Sequence, residues 1–411
     1  MSEFKIRDKC YVNTNRDADT FVGIMCDKGS FSVHFPLGFH ISDSDRDLRR
    51  DIMLLIGSIE STIGHRESRI QLDAENCNQI GFPIHAYLTV IYDFFDRGYY
   101  KEREIEYTVA KRGKINWART IKTQKPAIQD GNFYYLDFVT RKSAVNEGEL
   151  ITLIHEYCVY ESFEMLGWLF TNVMPQKPRI KRNDKLFLAV IKEKLSRTFN
   201  DKNKTLFNAM LQIVKNLQDE DAKLNYKYGT YRYEYVWEAL IDRVYGIEGK
   251  QTYFPKTTWK IGSKKYDNAS LEPDSIMIRG KDIFVLDAKY YKYGATKDMS
   301  DLPKSTSINK QITYGEYVAK NVTTEGKIFN AFLMPFDSKD KQWQSDEIIS
   351  IGEATGDWRP NTQLYEHIQG ILVDVKYLLQ ITVREDSNEI MKLANCIEKF
   401  MVVDKEMREE T

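Results

Sequence analysis

The sequence predicts an α/β fold with a central mixed sheet for its C-terminal part, preceded by an α+β N-terminal domain. Three observations carry this. From Tyr228 onward the apolar pattern runs helix, strand, strand, helix, strand, the alternation that builds an α/β layer structure. Within it, Ile283-Phe-Val-Leu-Asp287 is a short apolar run of β-formers, and Ser275-Ile-Met-Ile before the Arg279-Gly-Lys-Asp282 turn is its hairpin partner. Upstream, short strands and amphipathic helices mix without an internal repeat. A chain of 411 residues suits two or three domains at about 150 residues each, and the polar run 218–223 supplies a boundary. The expected domains are therefore 1–222 and 223–411.

Hydrophobic residues make up 42%, charged residues 29% and aromatic residues 13%, so each part can bury a core and disorder is excluded as the main theme. The opening MSEFKIRDKC has no signal-like apolar stretch, and no run of about 18 uncharged apolar residues follows. The expectation is a soluble cytoplasmic protein with no membrane association. Cys10, Cys26, Cys77, Cys158 and Cys396 are scattered without CxxC spacing, and the six histidines stand outside any HExxH array, which predicts reduced cysteines that hold no metal. A net charge of −1 excludes a simple DNA-coating protein but allows a local basic face. The richest basic stretch, Lys177, Arg179, Lys181, Arg182 and Lys185, reads as a solvated linker after Met174-Pro175-Gln176, with phosphate tracking as the alternative.

Along the chain, residues 20–36 predict a β-hairpin over a Gly-containing turn. Asp43 or Ser44 caps a helix in which Leu48, Ile52, Leu55 and Ile59 recur at helical spacing. A helix over 84–95 ends at the Asp96-Arg97-Gly98 corner. The segment Lys111-Arg-Gly-Lys-Ile-Asn-Trp-Ala-Arg-Thr120 has no period but sets a tryptophan among cations. It suits contact with phosphate or a protein, or equally a loop whose Ile115 and Trp117 plug the core. A strand over 133–139, a long helix over 147–170 and amphipathic helices over 185–198 and 205–217 complete the N-terminal part.

The chemistry sits in the C-terminal part. Strand periodicity places Asp287 and Lys289 on one face with Ala288 opposite, and the hairpin brings Pro273-Asp274 across from Asp287. Two hard oxygen ligands, with the Ala288 carbonyl, waters and a phosphate oxygen, suit Mg²⁺. Lys289 beside them can orient or deprotonate water, or offset charge on the phosphorane-like transition state. The Asp/Glu-x-Lys triplet alone is weak, because Asp221-Ala-Lys223, Glu248-Gly-Lys250, Glu325-Gly-Lys327, Asp337-Ser-Lys339 and Asp374-Val-Lys376 also occur. Asp374-Val-Lys376 is the serious decoy, disfavoured because Asp357 upstream lies in a Gly/Trp/Pro loop. The 274/287/289 set also has a helical acid: Glu234, Glu238 and Asp242 stack at i, i+4, i+8. Glu238, beside Trp237 and Ala239-Leu240, is the one placed to reach the site, and the other two read as a solvated stripe. Downstream, Gln311 and Tyr314 share a helix face from which they can brace the lysine or touch the DNA backbone.

These residues, Glu238, Pro273-Asp274, Asp287-Ala-Lys289 and the Gln311/Tyr314 helix, resemble the PD-(D/E)XK nuclease superfamily over roughly 228–403. The version is similar to the LlaJI-type restriction endonucleases and their McrC-like relatives, with Phe35-Pro-Leu-Gly-Phe39, Gly113-Lys-Ile-Asn-Trp117, Arg119-Thr120 and Gly167-Trp168 adding to the likeness. The resemblance implies Mg²⁺-dependent hydrolysis of double-stranded DNA in a restriction or phage-defence system. By carry-over, Asp274 and Asp287 bind the metal, Lys289 assists the water and Glu238 completes the site. It also implies a separate McrB-like AAA+ GTPase or ATPase, since Gly246-Ile-Glu-Gly-Lys250 falls short of a Walker A loop. Lys114, Asn116, Trp117 and Arg119 would then lie on the docking surface. The alternatives are a self-sufficient type II enzyme whose N-terminal domain reads the target, and a non-catalytic scaffold of nuclease-like fold.

Overall fold

A computed structural model describes the chain except residues 1–4, 17–18, 66–81, 147, 220–223, 323, 383–387 and 410–411. Cys77 and Asp221-Ala-Lys223 lie outside the described residues. The chain forms two compact units, Met1–Gly81 with Asn225–Thr411, and Phe82–Leu224. The expected cut between 222 and 223 also falls outside the described residues, and the grouping differs from it, because the N-terminal segment joins the C-terminal part.

Long-range strand pairing is the physical reason. The hairpin Val22–Asp27/Ser30–Phe35 forms where the 20–36 pattern predicts it, turning at Lys28 and Gly29, both at positive φ. Cys10–Val12 adds parallel to one side and Tyr226–Thr230 adds antiparallel to the other, completing a four-stranded sheet. Gly23 faces Gly229 across the last pair, and a Cβ on Gly23 would strike the Tyr228 carbonyl oxygen. Just beyond this sheet, Gly38 at φ +76° brings its backbone so close to strand Ile328–Phe336 that a Cβ would lie 2.9 Å from Phe336 Cα. The Leu37 N–H donates to Tyr290 Oη at 2.7 Å. The Phe35-Pro-Leu-Gly-Phe39 phrase is thus part of the core of the first unit.

The main sheet of that unit has five strands in the order Ser275–Arg279, Asp282–Ala288, Ile328–Phe336, Ile368–Asp374, Ile348–Ala354. The outer pairings are antiparallel and the two inner ones parallel, so the expected mixed sheet is present. Ile276, Ile283 and Val285 pack one face against Tyr314 and Val318 of helix Ser305–Asn321. Helix Tyr233–Tyr245 is fixed to the sheet by Trp237, fully buried, whose Nε1 donates to the Leu333 carbonyl at 3.1 Å.

In the second unit, helices Ile84–Arg97, Leu150–Leu166, Asp184–Arg197 and Asp201–Asn216 pack together. Gly98 at φ +72° ends the first of them at the expected corner. Strand Glu102–Ala110 pairs with Phe138–Asn146. The expected 133–139 strand is instead two, Asn132–Tyr134 and Phe138–Asn146, broken at 135–137. In the basic stretch, Arg179 donates to Glu156 at 3.0 Å and Arg182 to Asp184 at 2.7 Å. Among the described residues no helix is long and apolar enough to cross a membrane.

Candidate active site

A turn at Gly280 and Lys281, with Gly280 at φ +62°, sets the register of the site hairpin. Arg279 pairs with Asp282 and Ser275 with Leu286. One step further, Asp274 stands opposite Asp287. In a hairpin closed by a two-residue turn, hydrogen-bonded and non-hydrogen-bonded pairs alternate, and counting from Arg279/Asp282 makes 274/287 a non-hydrogen-bonded pair, the kind whose side chains approach most closely. The next pair is Pro273 with Ala288, and proline has no N–H. The ladder bond from residue 273 to the Ala288 carbonyl therefore cannot form. On the same edge of the strand, the Ala288 N–H donates to Asp274 Oδ2 at 2.8 Å.

Strand alternation puts Lys289 on the face of Asp287, and its Nζ forms an ion pair with Asp287 Oδ2, the two side chains being 18% and 4% exposed. Burial pushes the Asp274 carboxyl well above the usual carboxylate range, Asp287 and Glu238 add to the push, and Lys289 opposes it. Lys289 itself is raised: burial favours the neutral amine, but the facing carboxylates of Asp287 and Asp274 outweigh it. The half-buried Glu238 thus contributes charge to the site from helix Tyr233–Tyr245. Its neighbours on the acidic stripe are otherwise engaged, Glu234 with Arg232 and Asp242 with Lys250 at 2.6 Å.

The helix Ser305–Asn321 supports the site from beneath. Gln311 is fully buried, and its Nε2 donates to the Val285 carbonyl of the site strand at 2.8 Å. That position braces the strand and leaves no surface for contact with a DNA backbone. Tyr314 Oη donates to the Glu272 carbonyl at 3.1 Å, fixing the chain two residues before Asp274, and burial raises its phenol. Sequence reasoning missed Lys250. Its Nζ donates to Asp242 and also to the main-chain carbonyl of Asp274 at 2.7 Å, clamping the main chain at the first acid to the helix that carries Glu238. The signal available was a lysine just after a glycine corner, Gly249 at φ +69°, but its partner is 24 residues away.

Among the described residues no group of three or more His, Cys, Asp and Glu side chains could hold a metal ion. The donor set that fits a cation is smaller: two facing carboxylates and a carbonyl denied its ladder donor, all oxygen. That composition suits Mg²⁺, which keeps several waters and takes one or two carboxylates.

The decoy is spent on structure. Asp374 caps helix Val375–Ile381 by accepting from the Tyr377 N–H at 2.7 Å and also accepts from Ser338 N at 2.8 Å, while Lys376 pairs with buried Asp51 at 2.7 Å. Lys114, Asn116, Trp117 and Arg119 lie in the second unit. Asn116 caps helix Trp117–Thr123, accepting from the Arg119 N–H at 3.1 Å. Trp117 is 53% exposed against the edge of Phe138, so it does not plug a core, and Arg119 lies over the Tyr107 ring at 3.7 Å.

The Type II restriction enzyme BsuMI component YdjA of Bacillus subtilis (strain 168) is 27% identical to this chain over 259 residues, 58% of the chain and 55% of that protein. The chain therefore spans about half the length of this relative. The family model of the LlaJI restriction endonuclease matches residues 21–350, well over half of the chain and including the whole site from Glu238 to Tyr314. The chain belongs to the LlaJI restriction endonuclease family.

Proposed function

We propose that the chain is a Mg²⁺-dependent endonuclease for double-stranded DNA, with a PD-(D/E)XK site, working in a restriction or phage-defence system as the McrC-like nuclease partner of a separate AAA+ NTPase. The observation that carries the reading is the facing pair Asp274/Asp287 with Lys289 bound to the second carboxylate. Asp274, Asp287 and the Ala288 carbonyl would hold the cation. The chemistry it supplies is Lewis-acid activation of water and neutralisation of charge at the scissile phosphate. Lys289 Nζ, held as the ammonium beside Asp287, orients the water and offsets charge on the phosphate. Glu238 adds negative charge that favours a cation at Asp274. Gln311, Tyr314 and Lys250 hold the main chain at Val285, Glu272 and Asp274, so that the geometry of the two carboxylates is set before substrate arrives.

The word "component" in the name of the Bacillus relative supports the multi-protein reading, and "Type II" keeps the self-sufficient enzyme as the second. Incubating the purified chain with plasmid DNA in Mg²⁺ or EDTA, with and without an McrB-like AAA+ NTPase, tests both. Cleavage that needs Mg²⁺ and the NTPase supports the first reading; site-specific cleavage without it supports the second. No cleavage under any of these conditions overturns the assignment as a nuclease.

A further inference from the structure

The nuclease unit carries a two-stranded sheet of its own, Thr258–Ile261 paired with Lys264–Asp267. Every residue of both strands is exposed. A lone ribbon of this size is marginal in water, yet this one displays Trp259 at 61%, Tyr266 at 67% and Ile261 at 72% exposure. The register separates its two faces. Trp259 stands opposite Tyr266, and Ile261 opposite Lys264, on one face. On the other face Lys260 stands opposite Lys265, and Thr258 opposite Asp267. Like charges directly across a ribbon repel, so the Lys260/Lys265 pair weakens the free hairpin and favours a bound anion between them. In a chain of net charge −1, residues 256–267 hold Lys256, Lys260, Lys264 and Lys265 against Asp267, and that acid is engaged by Thr258 Oγ1 at 2.6 Å and by Lys265 at 3.1 Å.

The root of the ribbon leads into the site. Asn268 N–H donates to the Thr257 carbonyl at 2.9 Å and Leu271 N–H to the Pro255 carbonyl at 2.8 Å, tying the two legs together. Next in the chain come Glu272, held by Tyr314, and then Asp274. At about 3.4 Å per residue the paired strands extend roughly 14 Å. The major groove is about 12 Å wide and accepts a two-stranded ribbon.

We infer that the 258–267 hairpin is a duplex-DNA arm of the nuclease unit, with Lys260 and Lys265 on phosphates and the Trp259/Tyr266 face against the groove wall. The inference rests on the nuclease reading and names how that site receives its substrate. Lysine on phosphate releases counterions and makes affinity fall with salt, at a slope of about 0.9 per phosphate neutralised.

The test is fluorescence anisotropy of the full chain with a labelled duplex of about thirty base pairs, in Ca²⁺ to hold off cleavage, across a KCl series. Lys260→Glu with Lys265→Glu should weaken binding at least about tenfold and reduce the log–log salt slope by about 2. Lys260→Arg with Lys265→Arg should bind as the parent does, and Trp259→Ala with Tyr266→Ala should weaken binding while leaving the slope unchanged. The hairpin is exposed, so circular dichroism of each variant should match the parent. If the double-Glu variant keeps the parent affinity and slope, the inference is overturned, and if it instead shifts the sedimentation coefficient, the ribbon is a protein contact. Cleavage by the parent that is lost in Asp287→Ala, alongside unchanged DNA binding by the hairpin variants, removes this inference alone. A parent chain that binds no duplex also overturns this inference, while the nuclease reading stands or falls on the cleavage assay with the NTPase.

Discussion

Two Asp-x-Lys triplets sit at corresponding ends of two strands that run parallel in one sheet, Asp287-Ala-Lys289 on Asp282–Ala288 and Asp374-Val-Lys376 on Ile368–Asp374. Both follow apolar runs and both aspartates are buried. Their fates differ because of what the chain does next. After Asp287 it stays extended, Lys289 N–H continuing the ladder to the Leu333 carbonyl at 2.8 Å, so acid and lysine share a face. After Asp374 it turns into helix Val375–Ile381. The carboxylate is then used up on the helix N-terminus and Ser338, and the lysine goes to Asp51. The first triplet also meets a buried second carboxylate across its hairpin, Asp274, whereas the acid beside Asp374 in the ladder, Glu347, is exposed, and Asp374 itself accepts from main-chain N–H groups. On the proposed reading, a triplet serves chemistry when its strand runs on past the acid and a buried second acid faces it.

Substitutions can break or sharpen this contrast. The largest effect is expected for Asp287→Ala, with a fall in Mg²⁺-dependent cleavage of more than about a thousandfold, read in a plasmid assay on protein whose melting curve remains cooperative. Lys376→Met should do the reverse. It leaves the carboxylate of Asp51, which is 1% exposed, with the Ser42 hydroxyl but without its cation, and should cost about 3 kcal/mol in urea unfolding, with Mg²⁺ affinity unchanged by calorimetry. Asp374→Ala should cost about 1 to 2 kcal/mol through loss of the helix cap and the Ser338 bond, with cleavage per folded molecule retained. Cleavage lost in Asp374→Ala but kept in Asp287→Ala would invert the comparison.

The smallest effect concerns pH. Asp274 is raised above its unfolded value, so the folded chain binds more protons than the unfolded one between the two pKa values. Its contribution to stability is fully present below the unfolded pKa, about 3.9, and is lost as pH rises through the folded value. Urea midpoints in EDTA should therefore fall as pH rises through that interval, and Asp274→Asn should flatten the trend.

Much of the site hairpin was legible in the sequence. The β-formers at 283–286, the Arg279-Gly-Lys-Asp282 turn and the period of two are local properties, and they place Asp274, Asp287 and Lys289 without reference to the rest of the chain. Glu238 and the face shared by Gln311 and Tyr314 followed from helical spacing. What Gln311 and Tyr314 do there, bonding to the Val285 and Glu272 carbonyls, did not. Strand Glu102–Ala110 escaped notice because EREIEYTVA opens on charges and lacks a clean apolar alternation. The strand expected at 133–139 broke because Tyr135-Leu-Asp137 leaves the ladder between two separate pairings.

By itself the sequence determined most elements and the meeting of two acids and a lysine on one hairpin, because backbone periodicity and turn preferences act over a few residues. Only the tertiary structure decided which strands share a sheet and which charges meet. Tyr226–Thr230 closes onto Val22–Asp27 some 200 residues earlier, Lys250 reaches the carbonyl of Asp274, and Lys376 finds Asp51. These partnerships depend on packing between segments far apart in the chain, and no local pattern encodes them.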